Sequence, residues 1–554
     1  MQAAEEGANE SSFLVPDTSE GKVAENSESG SPSSDCCNRK WFRTCRRFLF
    51  YLIAPYFAGF LYGYSIGAVS GSVSSVNSAI AKELTTVQSS ALTSASILGA
   101  TIASILTFYV GETLGSRKEL IIGSIFYLTG TALTELASAA WGRNSLFGFL
   151  FFCRCTYGIG IGFSMHGAPL YIAETSPSEI RGMLIAVKEL LIITGMVTGY
   201  AVIALCDAVF RTDQDTWRIS WSIPGPFAIA VIWIMYYAPS SPRWLVLMGR
   251  QEEATDALRE LWPEKTGPEV ISEAEEIQRS FELTKTDEPN TTRSPTPSTV
   301  DGDSTAEGVN SWISKYWINP CSAAEKRKWA KLATARGALV GGLGLVFFQQ
   351  LTGQPTVLYY AQSIFIEAGF SEEDAKFSDL YVGLAKFCAT LVSLPFVDRA
   401  GRKPLLLVGI SIMLIALVLL AIGFSGSVEW QTQILFALIL YVCGYQVGFG
   451  PITWVMISEL FPLHSRARAL GMSIFLNFAL NLITTFLNGP LVDALGQCAL
   501  FSFYTVMCAL SIIFVWFLLP ETKGKTLEEI DQMMTEGDLP ALAWILGNWR
   551  DFKL

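Results

Sequence analysis

Charged side chains are scarce in this chain of 554 residues, of which only 16% are aspartate, glutamate, lysine or arginine. Soluble domains carry about 25% charged residues, so the composition excludes an ordinary water-soluble fold. Hydrophobic residues make up 51% of the chain, and the mean hydropathy is +0.37. Because the shortage of charge is concentrated in long apolar blocks, the composition indicates a membrane protein.

Paired cysteines and histidines are also lacking. The eleven cysteines form no CxxC pair and only two histidines are present, so we expect neither a disulfide framework nor a metal site. Gly524-Lys525-Thr526 is similar to the end of a phosphate loop, but Leu519 stands where such a loop needs glycine. We therefore expect no nucleotide and no other cofactor, which also excludes transport driven by ATP.

Basic residues are outnumbered by acidic ones, 39 to 50, which gives a formal net charge of −11. The acidic excess lies mainly in residues 1–35 and 251–310, outside the apolar blocks. Nucleic acid is bound through lysine and arginine, so no nucleic-acid partner is expected. The first 40 residues lack the apolar core of a secretory signal and are predicted to be disordered.

The apolar blocks are long enough to cross about 30 Å of hydrocarbon, and the lipid bilayer is therefore the expected environment. They are predicted to be helices, because lipid cannot satisfy exposed backbone groups. Six blocks precede a long polar stretch and six follow it. The twelve predicted spans are 48–70, 90–110, 119–139, 146–166, 184–206, 221–238, 334–361, 378–397, 404–424, 432–456, 468–491 and 499–519.

This pattern predicts an all-α membrane protein built from two six-helix halves. Most of the 39 basic residues lie in the termini and in the loops on the same side, which predicts that both termini are cytoplasmic. The predicted domains are a disordered N-terminus 1–47, a first half 48–238, a loop 239–333 with short helices and a disordered stretch, a second half 334–519, and a C-terminus 520–554.

The two halves repeat short charged motifs in the same order. Gly115-Ser116-Arg117-Lys118 corresponds to Gly401-Arg402-Lys403, and Glu174…Arg181 corresponds to Glu459…Arg466. A duplicated six-helix unit is typical of parallel-repeat transporters, whose substrate site lies between the halves. Simple anchoring of basic loops is the alternative interpretation of these charges. The predicted gating salt bridges draw on Glu112, Arg117, Glu174, Arg181, Asp398, Arg402, Glu459 and Arg466.

Several longer motifs resemble the sugar porter family of the major facilitator superfamily over about residues 48–530. The resemblance rests on Pro169-Leu170-Tyr171-Ile172-Ala173-Glu174, Gln349-Gln350-Leu351-Thr352-Gly353-Gln354, Gly450-Pro451-Ile452-Thr453-Trp454 and Pro520-Glu521-Thr522-Lys523-Gly524. Met165-His166-Gly167-Ala168-Pro169 with Lys188-Glu189-Leu190 is most similar to the plant plastidic branch, with its xylose-proton symporter-like members. The resemblance implies the major facilitator fold and a sugar carrier, not an enzyme. We expect it to work by alternating access and as a monomer.

Glycine and proline interrupt the seventh span around Gly353 and Pro355, and such breaks are tolerated in membranes where they line a cavity. Gln349 and Gln350 lie just before the break, and their amides both donate and accept hydrogen bonds, which suits a neutral, hydroxyl-rich ligand. Polar contacts between helices are the alternative. The resemblance implies that these glutamines contact sugar, and the further candidates are Trp454, Asn477, Glu189, Tyr359 and Tyr360.

Arg154 lies inside a span and, by resemblance, near the site of proton coupling. In proton symporters of the family its partner is an aspartate, but here Ser65 occupies that position. Serine cannot cycle a proton near neutral pH, so facilitative uniport is favoured. The alternative assigns the proton to Glu189, because a buried carboxylate can take up a proton at mildly acidic pH. Pairing with Arg154 or Lys188 would oppose this.

Two further interpretations remain open from sequence alone. A non-transporting sugar sensor could use the same fold, although the short C-terminal tail favours a carrier. The substrate could also be a polyol. The sequence does not distinguish between the plasma membrane and a vacuolar or plastid membrane.

Overall fold

A computed structural model describes most of the predicted spans. Residues 1–33 of the predicted disordered N-terminus 1–47, the predicted disordered stretch 285–308 and residues 534–554 of the predicted C-terminus lie outside the described residues. Residues 34–47, which were predicted to be disordered, belong to the first helix. The described residues are 34–79, 84–137, 142–176, 181–210, 216–262, 267–272, 274–275, 278, 336–425, 431–461, 466–525, 529–530 and 533.

Every regular element in this part of the chain is an α-helix. In chain order the helices are α1 Ser34–Ala79, α2 Thr86–Leu114, α3 Ser116–Glu135, α4 Arg143–Thr175, α5 Arg181–Phe210, α6 Thr216–Ser222, α7 Pro224–Tyr237, α8 Pro242–Leu247, α9 Gln251–Leu261, α10 Arg336–Leu351, α11 Gln354–Tyr359, α12 Ala361–Glu367, α13 Glu372–Ala400, α14 Arg402–Gly423, α15 Gln431–Val447, α16 Phe449–Leu460 and α17 Arg466–Leu518.

These helices make twelve crossings, as predicted. Eight described segments are long and apolar enough to span a membrane by length and composition. One of them, Arg468–Leu518, is kinked at Gly496, where φ is +79°, and therefore supplies two crossings. α3, α13 and the run of short helices α10–α12 supply the other three. The tenth span is broken at Gly448, where φ is −96° and ψ is −95°, although one continuous helix was expected.

The bundle has two ends, which we call inner and outer. The inner end, predicted to be cytoplasmic, holds the sharp turns at Gly115 and Gly401, where one helix ends and the next begins. The outer end holds the starts of α2 and α13. Thr85 caps α2 by accepting from the backbone N–H of Gln88, and Ser371 caps α13 by accepting from Asp374. These caps satisfy orphan donors at the helix ends.

Helices within each half approach very closely at glycine positions. A Cβ on Gly63 of α1 would lie 1.7 Å from the carbonyl oxygen of Ile192 on α5. In the second half, a Cβ on Gly409 of α14 would lie 2.4 Å from the backbone nitrogen of Gly448. Small residues of this kind let membrane helices pack backbone to backbone. Each half is therefore tightly packed.

The halves meet mainly through α2 against α17 and α5 against α13. At the outer end, a Cβ on Gly489 of α17 would lie 2.3 Å from the hydroxyl oxygen of Ser90 on α2. At the inner end, a Cβ on Gly471 of α17 would lie 2.8 Å from the Phe108 ring on α2. The halves therefore touch along α2 and α17 at both ends of the bundle.

Candidate functional site

The break in the seventh span positions the two central glutamines. α10 ends at Leu351, and Gly353 then adopts φ +98°, in the left-handed region that glycine tolerates. The interruption expected from the sequence is therefore present. Gln349 and Gln350 lie in the last turn of α10 and are 2% and 3% exposed, so their amides are buried between helices.

Each glutamine uses its amino group and leaves its oxygen without a partner. Gln349 Nε2 donates to the carbonyl oxygen of Phe449 at 3.1 Å, and Gln350 Nε2 donates to Asn477 Oδ1. Both Oε1 atoms are buried with no hydrogen-bond partner in the described structure. Buried polar groups are nearly always paired with protein, water or ligand. These two unpartnered acceptors therefore favour a ligand whose hydroxyl groups donate hydrogen bonds.

Aromatic side chains enclose these amides. The hydroxyl of Tyr445 lies beside the Gln349 amide. Trp454 is half-buried and packs against apolar clusters of both halves. The hydroxyl of Tyr359 lies close to that of Tyr62 on α1, across the interface between the halves. Tyr360 instead donates to the carbonyl oxygen of Thr485 at 2.8 Å, so its hydroxyl is already occupied.

Glu189 lies between two lysines. It interacts electrostatically with Lys188, its neighbour on α5, and with Lys386 on α13 of the opposite half. The Lys386 ammonium lies 5.4 Å from the centre of the Tyr445 ring, in cation–π range. Sequence reasoning placed Lys386 inside a span but assigned it no role. A charge inside a membrane span was the available signal.

Arg154 faces serine and aromatic rings. Its Nη2 donates to Ser65 Oγ at 2.7 Å, and its guanidinium carbon lies 4.9 Å from the ring centres of both Tyr157 and Trp221. Arg154 is 3% exposed, and its Nε has no hydrogen-bond partner among the described residues. A hydrogen bond and two cation–π contacts therefore hold this cation. Ser65 stands at the position where proton symporters of the family have its aspartate partner.

The predicted gating residues form an ion pair in the second half only, as far as the described side chains extend. Arg402 Nη2 lies 3.1 Å from Glu459 Oε1. In the first half, Glu174 accepts from Ser116 Oγ at 3.0 Å. Arg117 donates to the carbonyl oxygens of α7 at Met235 and Tyr236. The side chains of Glu112, Arg181, Asp398 and Arg466 lie outside the described part of the structure.

A cavity of about 390 Å³ lies away from these amides, between α2, α4 and α17. Its lining is almost wholly apolar and includes Leu98, Phe151 and Phe486. An apolar surface offers no partner to a hydroxyl-rich solute. We therefore do not place the polar site in this cavity.

Comparison with known proteins gives the family. Residues 51–534 match the family model described as "Sugar (and other) transporter". The chain belongs to this sugar transporter family. The sugar transporter is 38% identical over 487 residues to D-xylose-proton symporter-like 1 of Arabidopsis thaliana, covering 86% of this chain and 89% of that protein. It is 36% identical over 524 residues to D-xylose-proton symporter-like 3, chloroplastic, of the same plant, covering 92% and 85%.

Solved structures give the fold. The E. coli xylose transporter XylE, in a partially occluded inward-open conformation, matches with a TM-score of 0.69 at 24% identity, covering 87% of this chain and 100% of XylE. The predictions of the major facilitator fold, of a multi-pass membrane protein and of the xylose-proton symporter-like branch are confirmed. The protein is a sugar carrier and not an enzyme.

Proposed function

We propose that this sugar transporter carries a monosaccharide by facilitative uniport, alternating access between the two halves. The observation that carries the proposal is the pair of buried, unpartnered amide oxygens of Gln349 and Gln350. A sugar hydroxyl would donate to each, and Asn477 would extend the polar wall. Trp454 would offer its ring to the apolar face of the sugar. Tyr359 and Glu189 complete the proposed binding set, and Tyr360 has only a supporting place in it.

Uniport is supported by the surroundings of the two candidate proton groups. Ser65 cannot carry a proton, and Arg154 is held by that serine and two aromatic rings. Glu189 lies near two lysines, Lys188 and Lys386, with which its side chain interacts electrostatically. The second candidate is sugar–proton symport through Glu189, which the names of the two Arabidopsis relatives favour.

The proposal also covers the membrane topology and the oligomeric state. We infer that both termini are cytoplasmic, from the bias of lysine and arginine toward that side. The domain boundaries 1–47, 48–238, 239–333, 334–519 and 520–554 remain predictions. We infer that the protein acts as a monomer, since each chain supplies both halves of the site. A sugar sensor, the competing class, would bind sugar at these residues without moving it.

Reconstitution in liposomes with labelled glucose and xylose tests the proposal. Uniport predicts equilibration without accumulation, whether or not a pH gradient is imposed. Gln350→Ala removes one amide from the site and should weaken sugar affinity by about tenfold to a hundredfold, the loss of one or two hydrogen bonds. Gln251→Ala, on the exposed surface of α9, is the matched control and should transport like the parent.

Three results would contradict the proposal in different ways. Accumulation driven by a pH gradient and lost in Glu189→Gln would establish symport instead. Sugar binding without any flux would establish a sensor. Unchanged sugar affinity in Gln350→Ala would remove the proposed site.

A further inference from the structure

Asp379 is a buried carboxylate on α13 that the sugar site does not use. It lies near the outer end of that helix, two turns outward from Lys386, and is 4% exposed. Its Oδ2 accepts a hydrogen bond of 2.8 Å from Ser70 on α1, which belongs to the opposite half. Its Oδ1 is buried without a hydrogen-bond partner in the described structure. The carboxyl group therefore bridges the halves through a single bond.

The surroundings of Asp379 close the outer end of the bundle. Tyr200 on α5 lies close enough to interact electrostatically with it and donates to the carbonyl oxygen of Leu358 on α11 at 2.7 Å. A Cβ on Gly383, one turn inward on α13, would lie 3.0 Å from the Tyr200 ring. This contact leaves no room for a further side chain. Asp379 is thus buried among residues of both halves.

No cation compensates this carboxyl group among the charged residues that the structure describes. The nearest titratable group facing it is the neutral Tyr200, and Gln362 on α12 near Gly71 is uncharged. The other titratable groups on the helices that pack against α13 have different partners or positions. They are Glu367 beside Asp493, Lys386 and Tyr62 beside Glu189, Tyr441 and Tyr445 on α15, and Arg402 with Glu459 at the inner end.

We propose that Asp379 is a proton-binding site of the outer gate, which takes up a proton when the halves close over it and releases it when they separate. Burying an ionised carboxylate beside a single hydroxyl carries a large desolvation penalty, whereas the neutral acid carries a much smaller one. The closed outer gate therefore holds the neutral form. When the gate opens, water reaches the group and the ionised form is restored.

The proton returns to the side from which it came. It is taken from the outer solution on closing and given back to the outer solution on reopening, so no net proton movement accompanies the sugar. The inference rests on the proposed alternating access and is compatible with uniport. Acidic outer solution should favour the closed outer gate and slow the carrier, without changing the final sugar distribution.

Sugar equilibrium exchange in proteoliposomes, at equal pH on both sides, tests this inference. Between about pH 8 and about pH 5, above the ordinary aspartate pKa of about 3.9, we expect exchange by the parent protein to slow by about tenfold. Asp379→Asn mimics the neutral acid, so its exchange should be slow and independent of pH. Asp374→Asn, an exposed carboxylate on the same helix, should keep the profile of the parent.

A second variant tests the inference independently, in case Asp379→Asn does not fold. Ser70→Ala removes the one hydrogen-bond donor to the carboxyl group among the described residues and should move the pH of half-maximal slowing upward. A parental profile in Ser70→Ala, or pH-dependent exchange in Asp379→Asn, would overturn the inference while leaving the carrier proposal intact. Absence of exchange by the parent protein at every pH would instead reject the proposed function.

Discussion

The inner ends of the two halves use the same turn with different chemistry around it. Gly115 between α2 and α3 has φ +78° and ψ 149°, and Gly401 between α13 and α14 has φ +92° and ψ 156°. Only glycine is at ease in this region of backbone space. The neighbour of Gly115 is the ring of Trp244, whereas that of Gly401 is the carboxylate of Glu521.

Polar partners differ in the same way. In the first half a hydroxyl, Ser116, donates to Glu174 at 3.0 Å. In the second half a guanidinium, Arg402, pairs with Glu459 at 3.1 Å, and Glu521 accepts from the backbone N–H groups of Arg402 and Lys403 at 3.0 Å each. Duplication thus preserved the backbone turn, while the glutamate beside it accepts from a hydroxyl in the first half and from a guanidinium in the second.

The largest expected effect comes from filling the two turns. Gly115→Ala should destabilise the protein by about 3 kcal/mol, because backbone strain adds to a clash with the rigid Trp244 ring, 2.8 Å from the new Cβ. Gly401→Ala should cost about 1–2 kcal/mol, since the flexible Glu521 side chain, 3.0 Å away, can move aside. Thermal unfolding in detergent measures both. Equal losses would mean that the surroundings of the turns do not matter.

The next effect concerns the charged cap on α14. Glu521→Gln loses a charge and one acceptor at the helix N-terminus and should cost about 1 kcal/mol in the same unfolding measurement. Ser240 follows the corresponding proline of the first half, Pro239, and only weakly contacts Arg117, at 3.4 Å. Ser240→Ala should therefore stay within about 0.5 kcal/mol of the parent. A larger loss of stability in Ser240→Ala than in Glu521→Gln would contradict the charge-based stabilisation of the second half.

The smallest effect is a difference in response to salt. Glu459→Gln removes an ion pair whose side chains are 15% and 21% exposed, and should cost about 0.5–1 kcal/mol at low ionic strength and less at high ionic strength. Glu174→Gln keeps an acceptor for Ser116 and should respond similarly at both. Unfolding of each variant and the parent, in dilute and in about 0.5 M salt, gives the comparison. A salt-independent loss in Glu459→Gln would contradict it.

Sequence predicted the features that depend on composition and local chemistry. Apolar length gave the twelve crossings, and glycine with proline gave the interruption that positions Gln349 and Gln350. The repeated motifs identified the inner ends but not every pairing there. Glu174 takes Ser116 as a partner, because the first half has one more residue between the turning glycine and its arginine. Spacing along the chain could not reveal this.

The contacts between the two halves could not be predicted from the sequence. Lys386 approaches Glu189, and Asp379 meets Ser70, only because α13 packs against α5 and α1 in three dimensions. The break at Gly448 was missed because hydrophobic residues continue on both sides of it. Residue type marked Lys386 as unusual inside a membrane, but its partner depends on tertiary packing.

The subdivision of the seventh span determines how small the moving part of the carrier can be. α11 is only six residues long, yet its Leu358 carbonyl accepts from Tyr200 and its Tyr359 hydroxyl meets Tyr62, both in the first half. Residues with non-helical backbone angles, Gly353 and Tyr360, flank it. Rotation of this short helix, which is about one and a half turns long, would break these contacts. Access to the sugar can therefore change at the cost of a few hydrogen bonds, before either six-helix half moves as a body.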